Sequence, residues 1–137
     1  YFAFTERGIV VLCRTSNPGS DWLQNSADSE MPTYLRVAKQ ISEWDAADQC
    51  MLVTGATYPD ELAKVRAVVG NLPLLVPGVG AQGGSIKEVL RSGLDAHGTG
   101  LVISSSRAII FADSGPDYAE AAAAAAEAAM NHINKFR

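Results

Sequence analysis

With 137 residues, 47% of them hydrophobic and 19% charged, the chain can build one modest domain around a buried core and is too apolar to be disordered. A formal charge of −4, with only 11 Lys and Arg scattered along the sequence, weighs against nucleic acid, whose phosphate backbone needs a dense basic surface. No apolar stretch reaches the about 18 residues of a membrane span, so no membrane partner is expected, whereas one small anion needs only local donors.

The chain opens on Tyr1 rather than a start methionine, and residues 1–5 read as the tail of an earlier element, so a fragment is expected. Residues 8–14, GIVVLCR, form a near-continuous apolar run, the pattern of a strand buried on both faces. A polar loop follows from Thr15 to about Glu30 and contains Asn17, Pro18 and Gly19. Leu35, Ala38, Ile41 and Trp44 then recur at helical spacing, which predicts a helix over about 32–46.

Residues 50–55, CMLVTG, give a second strand. Thr57 is the expected cap of the next helix, with Pro59 in its first turn and Asp60 three residues after the cap. Leu62, Val65 and Val69 mark its buried stripe. The third strand, 73–77, ends in a glycine-rich turn, and Ile86, Val89 and Leu90 mark a helix stopped by Gly93. Residues 101–104 are the fourth strand. The last helix is expected to start near Pro116, capped by Ser114 or Asp113, and to run through an alanine-rich surface stretch to about Asn134.

Most strand starts lie about 25 residues apart, a rhythm of parallel strands with helical crossovers, hence α/β. An open doubly wound sheet and part of a closed (β/α)₈ barrel both fit. A complete barrel needs roughly 250 residues, about twice this length. Cys13 and Cys50 sit inside apolar runs. A disulfide is open in principle, but a reduced, buried pair is expected, since these residues hold no secretory signal.

Ligands of parallel α/β proteins bind just beyond the strand ends, and four such places carry polar or glycine residues. In PGVGAQGG, residues 77–84, four glycines let backbone amides approach a ligand, the following helix adds its positive end, and Gln82 adds a side-chain donor. A phosphate is the natural guest; the bland alternative is a tight turn. Its G-x-G-x-x-G match is formal only, and no acidic ribose reader follows, so a dinucleotide is not indicated. In SSSR, residues 104–107, the Arg107 fork matches phosphate oxygens; the alternative is a surface pair with Asp113. Ser16 and Asn17 suit a polar ligand edge, but Asn-Pro-Gly is also a plain turn signal. The fourth place, TGAT at 54–57, is most simply a helix cap.

His97 and His132 lack metal-ligand partners in the sequence, and Trp22 and Trp44 read as packing residues. Neither a Ser-His-Asp arrangement nor a carboxylate pair is evident.

The three segments TSNPGS, PGVGAQGG and SSSRAI, with TGATYPDELAKVRAVVG between, resemble the bacterial-type (type 2) orotidine 5′-phosphate decarboxylases in the right order over about residues 8–115. The resemblance implies a (β/α)₈ barrel of which residues 1–137 form the C-terminal half, strands five to eight. It implies decarboxylation of orotidine 5′-phosphate to UMP in pyrimidine biosynthesis, by a cytoplasmic homodimer that uses neither metal nor organic cofactor. By position, Ser16 would bond the pyrimidine edge, Gln82 would close over the phosphate, and Arg107 would clamp it, with amides near Gly83 and Ser106 assisting. The family's Asp-x-Lys-x-x-Asp motif, which carries the chemistry, is not in this sequence; Lys64 and Lys87 fall on predicted helices and are no substitute. The missing N-terminal half would supply it, and the segment alone is expected to be inactive. A related phosphate-binding barrel, such as a sugar-phosphate epimerase or synthase, and a non-catalytic half-barrel binding module are the alternatives.

Overall fold

The computed structural model describes residues 1–26, 30–45, 48–79 and 84–137. Among them, four strands and six helices follow in chain order: β1 (Ile9–Arg14), α1 (Ser20–Gln24), α2 (Thr33–Trp44), β2 (Cys50–Thr54), α3 (Pro59–Val69), β3 (Leu74–Pro77), α4 (Ile86–Gly93), β4 (Leu101–Ser104), α5 (Ser106–Ile110) and α6 (Tyr118–Asn134). The strands are all parallel and lie in the order β1-β2-β3-β4. A doubly wound sheet reverses its strand order at a switch point; this one runs on without reversal, as in a barrel wall.

Each strand turns alternate residues to opposite faces. One face packs against the helices through Leu52, Leu74 and Val76, all 0% exposed, which join Ala38, Leu62, Val65 and Val89 in the core. Helices α2 and α3, and α3 and α4, pack side by side over it. The other face carries Val10, Leu12 and Val102, still 57%, 67% and 46% exposed although they are β-branched or aliphatic. Such an apolar strip is unusual on a solitary soluble domain. Residues 1–137 produced alone are therefore expected to self-associate in size-exclusion chromatography and to bind a hydrophobic dye. A monomer with a cooperative melt would contradict this.

Arg66 ties together the amino-terminal rim. It is buried on α3 and donates from Nε to the Gly93 carbonyl (2.7 Å), from Nη1 to those of Gly70 (2.6 Å) and Leu72 (2.8 Å), and from Nη2 to Gly100 (2.9 Å). Burial lowers its pKa, and the nearby Asp95 carboxylate acts in the other direction. Gly93 does not stop α4 by a left-handed turn, as the sequence suggested. It is the last helical residue, and an added Cβ would lie 3.0 Å from both Leu62 and Leu101, so glycine is there for close packing.

Other boundaries also shift. The loop after β1 contains a short helix, α1, which five residues are too few to announce by periodicity. Helix α2 ends at Trp44; Ala46, its expected end, lies outside the described residues. Thr57 does not cap α3: Tyr58 holds that position without a side-chain cap, and the Thr57 hydroxyl is buried with no hydrogen-bond partner among the described residues. Neither Ser114 nor Asp113 caps α6, which begins one turn later behind Asp117 and has no buried residue, as suits a surface helix.

Both cysteines are free and buried. Cys50 pairs with Ile9 across the sheet, so Cys13 lies four residues, about 13 Å, further along, well beyond disulfide reach. Cys13 Sγ donates to the Tyr34 carbonyl at 3.2 Å, and burial pushes its pKa up to about 12. In the folded protein Cys13 is expected to resist alkylation at pH 8 and to react only on unfolding; rapid labelling of the native state would contradict this.

Candidate functional site

The carboxyl ends of the four strands form one rim, and the described parts of the four segments marked in the sequence lie there. After β1, the chain turns through Thr15–Gly19 by way of Ser20 N–H to Asn17 carbonyl (3.1 Å), with Gly19 in the left-handed region at φ 82°. Ser16 is half-buried against Gly55 at the end of β2. The Gly55 amide donates to the Arg14 carbonyl (2.8 Å), and the Ala56 amide to the Pro77 carbonyl (3.0 Å), so neighbouring turns are stitched to one another.

At the end of β3, Gly78 adopts φ 93°, a conformation that favours glycine. The chain returns at Gly84, whose amide donates to the Gly78 carbonyl at 3.4 Å beside a bridge between Val79 and Gly84. The two stems of the glycine loop are thus pinned together at the head of α4. A Cβ on Gly84 would stand 2.5 Å from that of Ala56, leaving no room for a side chain. Gly84→Ala is expected to destabilise the protein by about 1–3 kcal/mol through overpacking. An unchanged urea midpoint would show that the loop base is not tightly packed. Gln82 and Gly83 lie outside the described residues.

After β4 the backbone enters α5 at once, so Ser106 and Arg107 are helical rather than loop residues. Both are exposed. Among the described residues the ion pairs involve other cations, so Arg107 does not pair with Asp113, the bland alternative read from the sequence. Residues 77–79 and 104–108 line one pocket of about 100 Å³, with Arg107 at its wall. That is space for a compact anion, since a water molecule takes roughly 30 Å³. The structure therefore brings the stem of the glycine loop and the Ser106–Arg107 turn together on adjacent strands. Ser16 is on the same rim but at β1, three strand spacings or roughly 14 Å from β4.

Sequence reasoning missed the most heavily bonded residue of this rim. Arg14, the last residue of β1, is 0% exposed and forms ion pairs with Asp21 on α1 and Glu61 on α3. Its guanidinium lies 4.2 Å from the centre of the Tyr58 ring. Burial disfavours the charge, but the two carboxylates outweigh it and raise the pKa. An arginine closing an apolar run was the available signal. Of the histidines, His97 belongs to a turn in which the Asp95 carboxylate accepts its backbone N–H (2.9 Å) and that of Thr99 (2.8 Å). Among the described residues, no three His, Cys, Asp or Glu side chains come together in a way that would hold a metal ion.

No protein-family model matches the chain. Among curated proteins, the orotidine 5′-phosphate decarboxylase of Azoarcus sp. (strain BH72) is 49% identical over 138 residues, covering 100% of this chain and 51% of that relative. The chain is similar to the C-terminal half of orotidine 5′-phosphate decarboxylases. It thus spans about half the length of the curated decarboxylases it matches. Among solved structures, Leishmania donovani UMP synthase superposes with a TM-score of 0.81 at 39% identity, over 96% of this chain and 29% of that one. Leishmania donovani OMP decarboxylase gives 0.79 at 36% identity, over 96% and 50%. The four parallel β-α units are accordingly those of a partial (β/α)₈ barrel.

Proposed function

We propose that the complete protein decarboxylates orotidine 5′-phosphate to UMP in pyrimidine biosynthesis, and that residues 1–137, the C-terminal half of its single barrel domain, hold the substrate. The observation that carries this reading is the pocket between residues 77–79 and 104–108, in a chain similar along its whole length to such decarboxylases. Arg107 supplies a planar fork for two phosphate oxygens. Gly83 and Ser106 contribute backbone amides, Gln82 closes over the bound phosphate, and Ser16 meets the pyrimidine edge.

The chemistry belongs to an Asp-x-Lys-x-x-Asp motif outside these residues, with its second Asp contributed across a homodimer. No metal or organic cofactor takes part. Charge that builds at the pyrimidine C6 carbon as carbon dioxide leaves is stabilised electrostatically, and the lysine delivers the replacing proton. Phosphate contacts remote from C6 matter because their binding energy is used to close the site and hold the reacting end. The proposed homodimer works in the cytoplasm.

Assaying the complete protein on orotidine 5′-phosphate and on pentulose phosphates tests the reading. UMP formation with no action on the sugars is expected, and no turnover by residues 1–137 alone. Epimerisation of a pentulose phosphate without UMP formation would overturn it.

A further inference from the structure

The turn after β1 is braced more firmly than a turn requires. Asn17-Pro18-Gly19 would reverse the chain unaided, yet a fully buried guanidinium is spent beneath it. Arg14 Nη1 donates to the Thr15 carbonyl (3.0 Å), the Ser20 hydroxyl (2.7 Å) and Gln24 Oε1 (3.2 Å), while its other nitrogens meet Glu61 and Asp21. Gln24 completes the bracket. Its Oε1 accepts the Thr15 backbone N–H (2.9 Å), and its Nε2 donates to the Thr15 hydroxyl (3.0 Å). The N–H, carbonyl and hydroxyl of Thr15 are therefore all committed. The next residue is Ser16, which Gly55 flanks so closely that an added Cβ there would lie 3.2 Å from Ser16 Cβ.

This apparatus stands at β1, while the anion pocket stands at β3 and β4. A ligand with its phosphate in that pocket would reach Ser16 only with its far end, across three strand spacings or roughly 14 Å. Resting on the reading above, we propose that Arg14 and Gln24 are positioning residues: they hold Ser16 at the end of the ligand remote from the phosphate, and so discriminate phosphate esters that carry a base from those that do not. A residue that must place one hydroxyl to within a fraction of an ångström needs supports that are themselves locked. The bracket and the glycine supply support from two sides.

The test uses the complete protein and two probes, UMP and ribose 5-phosphate, with affinities measured by calorimetry. Gln24→Leu removes the bracket yet leaves Arg14 with both carboxylates. Gly55→Ala displaces Ser16 from the opposite side, keeps the backbone N–H that meets the Arg14 carbonyl, and replaces none of the guanidinium's partners. Each is expected to weaken UMP about tenfold, as for one misplaced hydrogen bond, and to leave ribose 5-phosphate within about twofold. Arg14→Lys, where it folds, moves the same ratio further. Equal weakening of both probes would overturn the proposal, because a merely structural brace costs both alike; so would unchanged affinity for UMP in both variants. A parent protein that binds ribose 5-phosphate as tightly as UMP would remove the nucleotide reading itself, a failure visible before any substitution is made.

Discussion

Arg107→Ala in the complete protein is expected to lower kcat/KM toward orotidine 5′-phosphate roughly a hundred- to a thousandfold, about 3–4 kcal/mol of transition-state stabilisation, with KM greatly raised. Two parallel charge-assisted hydrogen bonds are lost at once. Arg107 is exposed and lacks an ion-pair partner among the described residues, so its removal strands no buried carboxylate and stability should hardly change. Arg107→Lys keeps the charge but not the fork and should recover only part of the loss. Unchanged kcat/KM in Arg107→Ala would remove this residue from the site.

Arg66 presents the opposite case. Arg66→Met is expected to cost about 3 kcal/mol or more of folding stability, read from urea unfolding of the complete protein. Four backbone carbonyls, from Gly70, Leu72, Gly93 and Gly100, lose a charged donor together, and those of Gly93 and Leu72 are in buried surroundings. Lysine has three donors and no plane, so Arg66→Lys should rescue little. Because Arg66 ties the amino-terminal rim, away from the ligand-facing strand ends, whatever folds should keep its substrate affinity. A stability change below about 1 kcal/mol would mean that water replaces the guanidinium at those carbonyls without penalty.

The strands were legible because a sheet covered by helices on one face and meant for a barrel interior on the other writes nearly continuous apolar runs, as at Ile9–Arg14 and Leu74–Pro77. Helices α2, α3 and α4 were legible from their apolar stripes, such as Leu62, Val65 and Val69. But Trp44, counted in the stripe of α2, is 55% exposed and Trp22 is 83% exposed, so neither tryptophan is the packing residue expected. Short α1 and α5 were not, since five residues complete little more than one turn. The cap at Thr57 was misread because Thr, Pro and Asp sit at almost the right offsets, and the chain instead enters the helix one residue later at Tyr58. Glycine 78 revealed its role through the turn it needed, whereas glycine 93 looked like a helix stop and is a packing contact. Arg14 and Arg66 remained hidden for a common reason. Arginine is ordinarily a surface residue, and only the three-dimensional convergence of carboxylates on one and carbonyls on the other explains their burial. At the site, the residue types at 78–84 and 104–107 indicated an anion; that their described parts share a pocket required the strand order.

Locating the phosphorus atom of UMP in crystals of the complete protein tests the grip most directly. The phosphate is expected between the Gly78–Gly84 stem and α5, with the Arg107 guanidinium about 3 Å from its oxygens. A phosphate seated on another part of the rim, out of reach of that guanidinium, would contradict the account.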